Sequence, residues 1–306
     1  MKKYYSLAVV LFLSVSAWAQ QDPQFSQNMF TKLAVNPAHA GAYDAICGTL
    51  LYRNQWTGFD GAPKTFLLMA ETPVPKLLGG LGLTIASDQL GFEKNLMARL
   101  AYAHKLYLGS GYLNLGLDVG YMQKSIDGSK FIFNDGGDQS IPLGAVSGGA
   151  IDFGFGAYYY SDKLYAGISS LHLTEGEIKT DNVTTKLARH YYFMAGYDAE
   201  LTPDITLKPS LFAKSEGTST QIDLNANVLL QNKFWLGFSY RFVPQDALVA
   251  MAGLEVTPNL KVGYSYDMTL TDIKTYSSGT HEIMINYCLR VKPSVERQFH
   301  KNVRFL

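Results

Sequence analysis

The side chains able to do chemistry are few and scattered. Six histidines, His39, His104, His172, His190, His281 and His300, stand far apart, and none sits in a recognisable nucleophile or metal pattern. A barrel enzyme would need a nucleophile with a base in reach, such as Ser with His. Gly167-Ile168-Ser169-Ser170-Leu171 approaches a nucleophile elbow but lacks its second glycine. Asn134-Asp135-Gly136-Gly137-Asp138 offers oxygens of the kind calcium takes, although so short a ligand set reads more simply as a turn. Phosphate-binding glycine loops, Cys-x-x-Cys pairs and haem motifs do not occur, so the expectation is a protein without enzyme activity, metal or cofactor.

The elements that carry these residues follow from composition. Of 306 residues, 47% are hydrophobic and only 17% charged, where about a quarter is usual for soluble chains. Beyond the N-terminus no run reaches the about 18 apolar residues of a membrane helix, which excludes a helical bundle. The formal net charge of +0 leaves no electrostatic footprint for nucleic acid. Lys2 and Lys3, the apolar stretch Leu7 to Val15 and Ala17-Trp18-Ala19 read as a signal peptide, residues 1–19, cleaved after Ala19. The mature chain is then expected in an oxidising compartment outside the cytoplasm.

Alternation is the dominant pattern. Leu113, Leu115, Leu117, Val119 and Tyr121 fall on one face of an extended segment, against Asn114, Gly116, Asp118 and Gly120. Ile222, Leu224, Ala226 and Val228 repeat this against Asp223, Asn225 and Asn227. Strands are expected near residues 46–54, 64–72, 79–88, 93–107, 111–125, 150–160, 163–171, 188–201, 205–215, 220–230, 234–242, 247–257, 260–268 and 280–290, fourteen in all. Most have the about 9 to 11 residues that cross a bilayer at the usual tilt. The fold class is therefore all-β: a transmembrane antiparallel β-barrel over residues 46–290, with apolar side chains on lipid and polar or small ones inside. A soluble β-sandwich would not carry aliphatic side chains outward along its whole length.

Short connections such as Ser161-Asp162 and Pro258-Asn259 alternate with long ones such as Ile126 to Gly149 and Thr269 to Gly279. Outer-membrane barrels keep short turns in the periplasm, which puts both termini in the periplasm or the lumen. The inward positions carry Arg53, Arg99, Lys105, Asp118, Lys124, Asp152, Asp198, Glu200, Lys208, Asp223, Arg241, Glu255, Lys261, Asp267 and Glu282. Mixed signs favour paired charges over an ion-selective pore.

Phe25, Met29, Phe30 and Leu33 recur at near-helical spacing and end at Asn36-Pro37, so residues 20–45 are expected to form a short amphipathic helix that plugs the barrel from below. Cys47 and Cys288 lie in the two strands that close the barrel and share the parity of the lumen-facing positions. That parity admits a disulfide and equally two buried thiols, because register is not set by sequence. The tail 291–306 is basic and suits a periplasmic partner or anionic headgroups.

Several stretches resemble the PorP/SprF family of outer-membrane barrels associated with type IX secretion and gliding motility. They are Asp22-Pro23-Gln24-Phe25-Ser26-Gln27, Asn36-Pro37-Ala38, Tyr52-Arg53-Asn54-Gln55-Trp56 and Gly58-Phe59-Asp60-Gly61-Ala62-Pro63-Lys64-Thr65, with Asp223-Leu224-Asn225-Ala226-Asn227 and His281-Glu282-Ile283-Met284 later. The resemblance implies an outer-membrane component that exports or anchors cargo such as gliding adhesins. Its partners would be outer-membrane lipid, type IX secretion subunits of the periplasmic ring or other barrels, and the cargo itself. Arg53, Trp56, Phe59, Asp60, Pro63 and Lys64 are the expected partner-binding residues. The peptidoglycan-binding domain of some members is not expected here. The rival reading is a channel for hydrophobic small molecules similar to fatty-acid transporters, whose N-terminal hatch also bears Asn-Pro-Ala.

Overall fold

The computed structural model describes residues 22–131, 142, 144–180, 183–242 and 247–290. The expected signal peptide, the Asn134 to Asp138 segment and the basic tail lie outside the described residues.

Seventeen strand segments run in chain order: β1 (Ala45–Asn54), β2 (Lys64–Val74), β3 (Gly79–Leu90), β4 (Glu93–Leu108), β5 (Gly111–Asp127), β6 (Ala145–Tyr160), β7 (Leu164–Leu171), β8 (Glu177–Thr180), β9 (Val183–Lys186), β10 (His190–Tyr197), β11 (Ala199–Thr202), β12 (Ile205–Ser215), β13 (Thr220–Leu230), β14 (Phe234–Phe242), β15 (Ala247–Thr257), β16 (Leu260–Thr269) and β17 (Thr280–Arg290). β8 and β9 form a hairpin apart from the wall, and β10 and β11 are one wall strand interrupted at Asp198. The remaining wall is a closed antiparallel barrel of fourteen strands, sealed where β1 pairs with β17. Closure leaves no edge, which is what the hydrocarbon of a membrane demands of a sheet.

Burial follows the sequence alternation. In β5, Leu115, Leu117 and Val119 point outward while Asn114, Gly116 and Asp118 are buried; in β13, Ile222 and Leu224 oppose buried Asp223, Asn225 and Asn227. Phe66, Leu100, Ile151, Phe155, Ile168, Leu236, Phe238 and Ile283 continue the apolar exterior around the wall. In water so continuous an apolar surface would far exceed the few hundred Å² that soluble monomers expose. In lipid it is the face that lowers the free energy.

Connections 55–63, 172–189 and 270–279 lie at one end of the barrel, and 75–78, 161–163, 203–204, 231–233 and 258–259 at the other. Within 172–189 the loop expectation gives way to the β8–β9 hairpin, whose Ile178 is buried and whose first strand lies against β6. Two four-residue strands of mixed polarity leave too short a periodic signal to detect.

Residues 22–44 bond or pack against wall strands on every side of the lumen, and Leu33, Ala34, Val35, Ala38 and Ala40 form its core with Leu51, Leu67, Tyr158 and Met284. The expected helix is not continuous. A 3-10 turn (Asn28–Phe30), a single helical turn α1 (Lys32–Val35) and a second 3-10 turn (Pro37–His39) follow one another. The reason is chemical: the backbone N–H groups of Ser26 and Gln27 donate to Glu282 at 2.9 and 2.8 Å, so the wall takes donors that a helix would have used. The segment enters at the short-turn end, where β1 starts, and rises until Asp22 meets His172 and His190 at the long-loop end.

Candidate functional site

Two buried clusters hold the luminal segment. In the first, Arg53 on β1 donates to Ser26 Oγ (2.8 Å), Glu282 (3.1 Å) and Asp267 (2.9 Å). Arg241 on β14 reaches Asp223 (3.3 Å), Asp267 (3.2 Å) and Ser26 Oγ (3.2 Å). Two guanidinium groups thus face three carboxylates, and Ser26 stands between them. Buried ions need several such partners, because desolvation otherwise outweighs their attraction. In the second cluster Arg99 on β4 pairs with Asp118 (2.8 Å) on β5 and with Asp152 on β6, and His172 bridges Asp152 and Asp22, at 2.9 Å to each.

Below these layers the Asn36-Pro37-Ala38 turn is locked to the wall. Asn36 caps its own turn by accepting from Ala38 N–H at 2.9 Å, and its amide donates to the carbonyls of Ala157 and Ile168. Asn114 donates to the Ala38 carbonyl at 3.1 Å, and Ser169 Oγ donates to the Val35 carbonyl at 2.6 Å. Ser169 is thereby a luminal hydrogen-bond donor. Glycine makes the approach possible: a Cβ on Gly116 would stand 2.3 Å from Ala38 N, and one on Gly156 2.1 Å from Asn36 Oδ1.

The short-turn half of the lumen is open. A cavity of about 410 Å³ there is walled by Phe30, Tyr43, Tyr158, Tyr165 and Trp235 together with the charged Asp198, Lys208, Glu255 and Lys261, and Lys32 projects into it. Lys32 Nζ lies 3.3 Å from Tyr158 Oη and 3.5 Å from the Tyr165 ring centre. Burial pushes this ammonium down to about 7, with Asp198 acting against that shift and Lys208 adding to it.

The expected partner-binding residues divide. Arg53 is 1% exposed and belongs to the first buried cluster, so it is corrected from a docking residue to an interior one. Trp56 and Pro63 are half-buried in the first long loop, Phe59 and Asp60 are exposed there, and Lys64, also exposed, opens β2. That loop is tied to the connection before β17: Trp56 N–H donates to Thr280 Oγ1, Thr57 N–H to the Gly279 carbonyl and Ser278 N–H to the Thr57 carbonyl. Of the expected plug residues, Phe25, Asn36 and Pro37 are buried, and Met29 and Phe30 are half-buried, Phe30 packing at 5.1 Å on Trp235. Cys47 and Cys288 are direct register partners across the seam, and their sulfurs are bonded. Paired lumen charges run down the wall as expected, Lys124 with Glu93 and Lys261 with Glu255 among them; Glu200 is instead exposed, near Lys163. The sequence reading missed Asp22, Ser26 and Glu71 as luminal anchors; Glu71 accepts from Gly41 N–H at 3.0 Å.

No curated protein matches the chain. Among solved structures it is similar to the CymD monoaromatic hydrocarbon channel, with TM-score 0.51 and 11% identity over 87% of this chain and 92% of that one. It is also similar to the outer membrane protein Omp33 of Acinetobacter baumannii (TM-score 0.46, 9% identity, 81% and 97% covered) and to a FadL homologue of Pseudomonas aeruginosa (TM-score 0.47, 11% identity, 89% and 96% covered). At such identity the CymD likeness speaks for the barrel fold alone. A family model described as type IX secretion system membrane protein PorP/SprF matches residues 17–287, which span the luminal segment and nearly all of the wall. With its outward apolar band, closed wall and anchored lumen, this chain belongs to the PorP/SprF family of type IX secretion system membrane proteins.

Proposed function

We propose that this barrel serves type IX secretion as an anchoring and docking subunit, supporting export or surface attachment of cargo such as gliding adhesins, rather than as the conduit itself. The supporting observation is the luminal segment, held in the long-loop half by buried ion pairs. A polypeptide could pass only by stripping those charges of their partners, at several kcal/mol for each buried ion. Docking then falls to the ends. With long loops outward, Phe59 and Asp60 meet surface cargo or another barrel, while the cavity around Lys32 faces the periplasmic machinery. Gentle-detergent purification followed by protein identification tests this reading. Secretion subunits or cargo should accompany the barrel, and Phe59→Ala with Asp60→Asn should reduce that recovery at least tenfold while the barrel keeps its heat-modifiable mobility. Recovery of the barrel alone would sink it.

The aromatic lining of the cavity favours a second reading, a channel for hydrophobic small molecules. It requires the luminal segment to move, and its signature is a bound apolar molecule with no secretion partner in the same preparation.

A further inference from the structure

No metal pattern is visible among the histidines along the chain, yet folding brings two of them onto one carboxylate. His172 follows β7, His190 opens β10, and Asp22 begins the described luminal segment. One ligand atom from each lies within 4.8 Å of the others. The second nitrogen of each ring is already engaged. His190 Nδ1 is 2.9 Å from the Ala188 carbonyl. A carbonyl only accepts, so this ring carries its proton on Nδ1 and its lone pair on Nε2, which Asp22 N–H approaches at 3.4 Å. His172 Nδ1 is 2.9 Å from Asp152 Oδ2, and its Nε2 is 2.9 Å from Asp22 Oδ1. Tyr192 donates to Asp22 Oδ2 at 2.6 Å, so Oδ1 is the oxygen that faces the His172 ring. A carboxylate behind one imidazole and a carbonyl behind the other is how proteins orient histidine ligands on a metal.

We infer that Asp22, His172 and His190 form a zinc site that ties the start of the luminal segment to β7 and β10, with a water as the fourth donor. Zinc bonds of about 2.0 to 2.2 Å in a tetrahedron set donors about 3.3 Å apart, so closure needs shifts on the order of an ångström. The metal takes the place of the proton between His172 and Asp22, which is released to solvent. The charges agree: among the described residues the carboxylates of Asp22, Asp118 and Asp152 stand against the guanidinium of Arg99, and a dication balances them once His172 has given up its extra proton. Two imidazoles with a carboxylate also suit zinc better than calcium or magnesium.

Chelator-stripped mature barrel in detergent, titrated calorimetrically with Zn²⁺, should bind one ion. Asp22→Asn and His190→Gln should each weaken binding at least tenfold. Asp152→Asn, which alters the positioning of His172, should weaken it about 10-fold to 100-fold. His104→Gln and His281→Gln should leave it unchanged. Co²⁺ in place of zinc should give the visible absorption of a four-coordinate centre. Heat-modifiable mobility verifies that each variant is folded, and Asp22→Asn, which lies off the wall, decides if His190→Gln does not fold. Wild-type protein that takes up no zinc, or Asp22→Asn protein that binds it as tightly as wild type, would overturn the inference.

Discussion

At the scale of single residues, the interior charges do different work according to burial. Glu282 accepts from Arg53, from Ser26 N–H and from Gln27 N–H, all inside the barrel. Glu282→Ala leaves a buried guanidinium and two backbone donors without it, and should cost about 3 to 5 kcal/mol. Lys163→Ala at the exposed Lys163–Glu200 pair should cost about 0 to 1 kcal/mol. Urea midpoints of the two variants in detergent would check the contrast; equal midpoints would mean the buried cluster is not what holds the segment. Lys32 offers a pH test. Burial holds its ammonium down to about 7 in the folded barrel, below its ordinary 10.5, so the unfolded chain binds more protons between those values. Stability therefore rises with pH across that window, and the neutral amine accumulates above its lower edge. Amine-reactive labelling at pH 8 should modify Lys32 ahead of the other lysines and fall off below pH 7; a lysine labelled no faster than Lys64 would contradict this.

At the scale of elements, β5, β6 and the Asn36-Pro37-Ala38 turn form one unit. Their contact depends on Gly116 and Gly156, where any Cβ would overlap the turn. Replacing Gly116 with Leu should expel the turn or strain it by about 1 to 3 kcal/mol. Protease added to the purified variant should then remove residues 22–44, whereas the wild-type segment resists; equal resistance would show that the wall yields instead. Inward small residues in such a strand are therefore as informative as inward charges, because they mark where a second backbone comes close.

At the scale of the whole molecule, the lumen is filled above and hollow below. The cavity of about 410 Å³ ends on the luminal segment, and the gap beside Asp22 is about 50 Å³. Proteoliposomes carrying the intact barrel should therefore show no sugar-driven swelling, and swelling of porin size would count against a closed lumen. Much of this was legible in sequence. Period-two alternation identified the wall strands, their fourteen-fold count and the lipid face, since each residue's side is set by its own parity once the strand exists. Parity likewise put Cys47 with Arg53 and Cys288 with Glu282 on the inner face. Pairing needed the tertiary structure: Cys47 opposite Cys288, Arg53 with Asp267, and Asp22 between His172 and His190 join residues 150 to 241 positions apart. Spacing along a chain carries no trace of such contacts, because barrel closure and the path of the luminal segment decide them. Parity along each strand settles which side chains meet lipid and that Arg53 points inward; barrel closure and the path of the luminal segment settle which inward groups meet one another, and so that Arg53 is held by Ser26, Asp267 and Glu282.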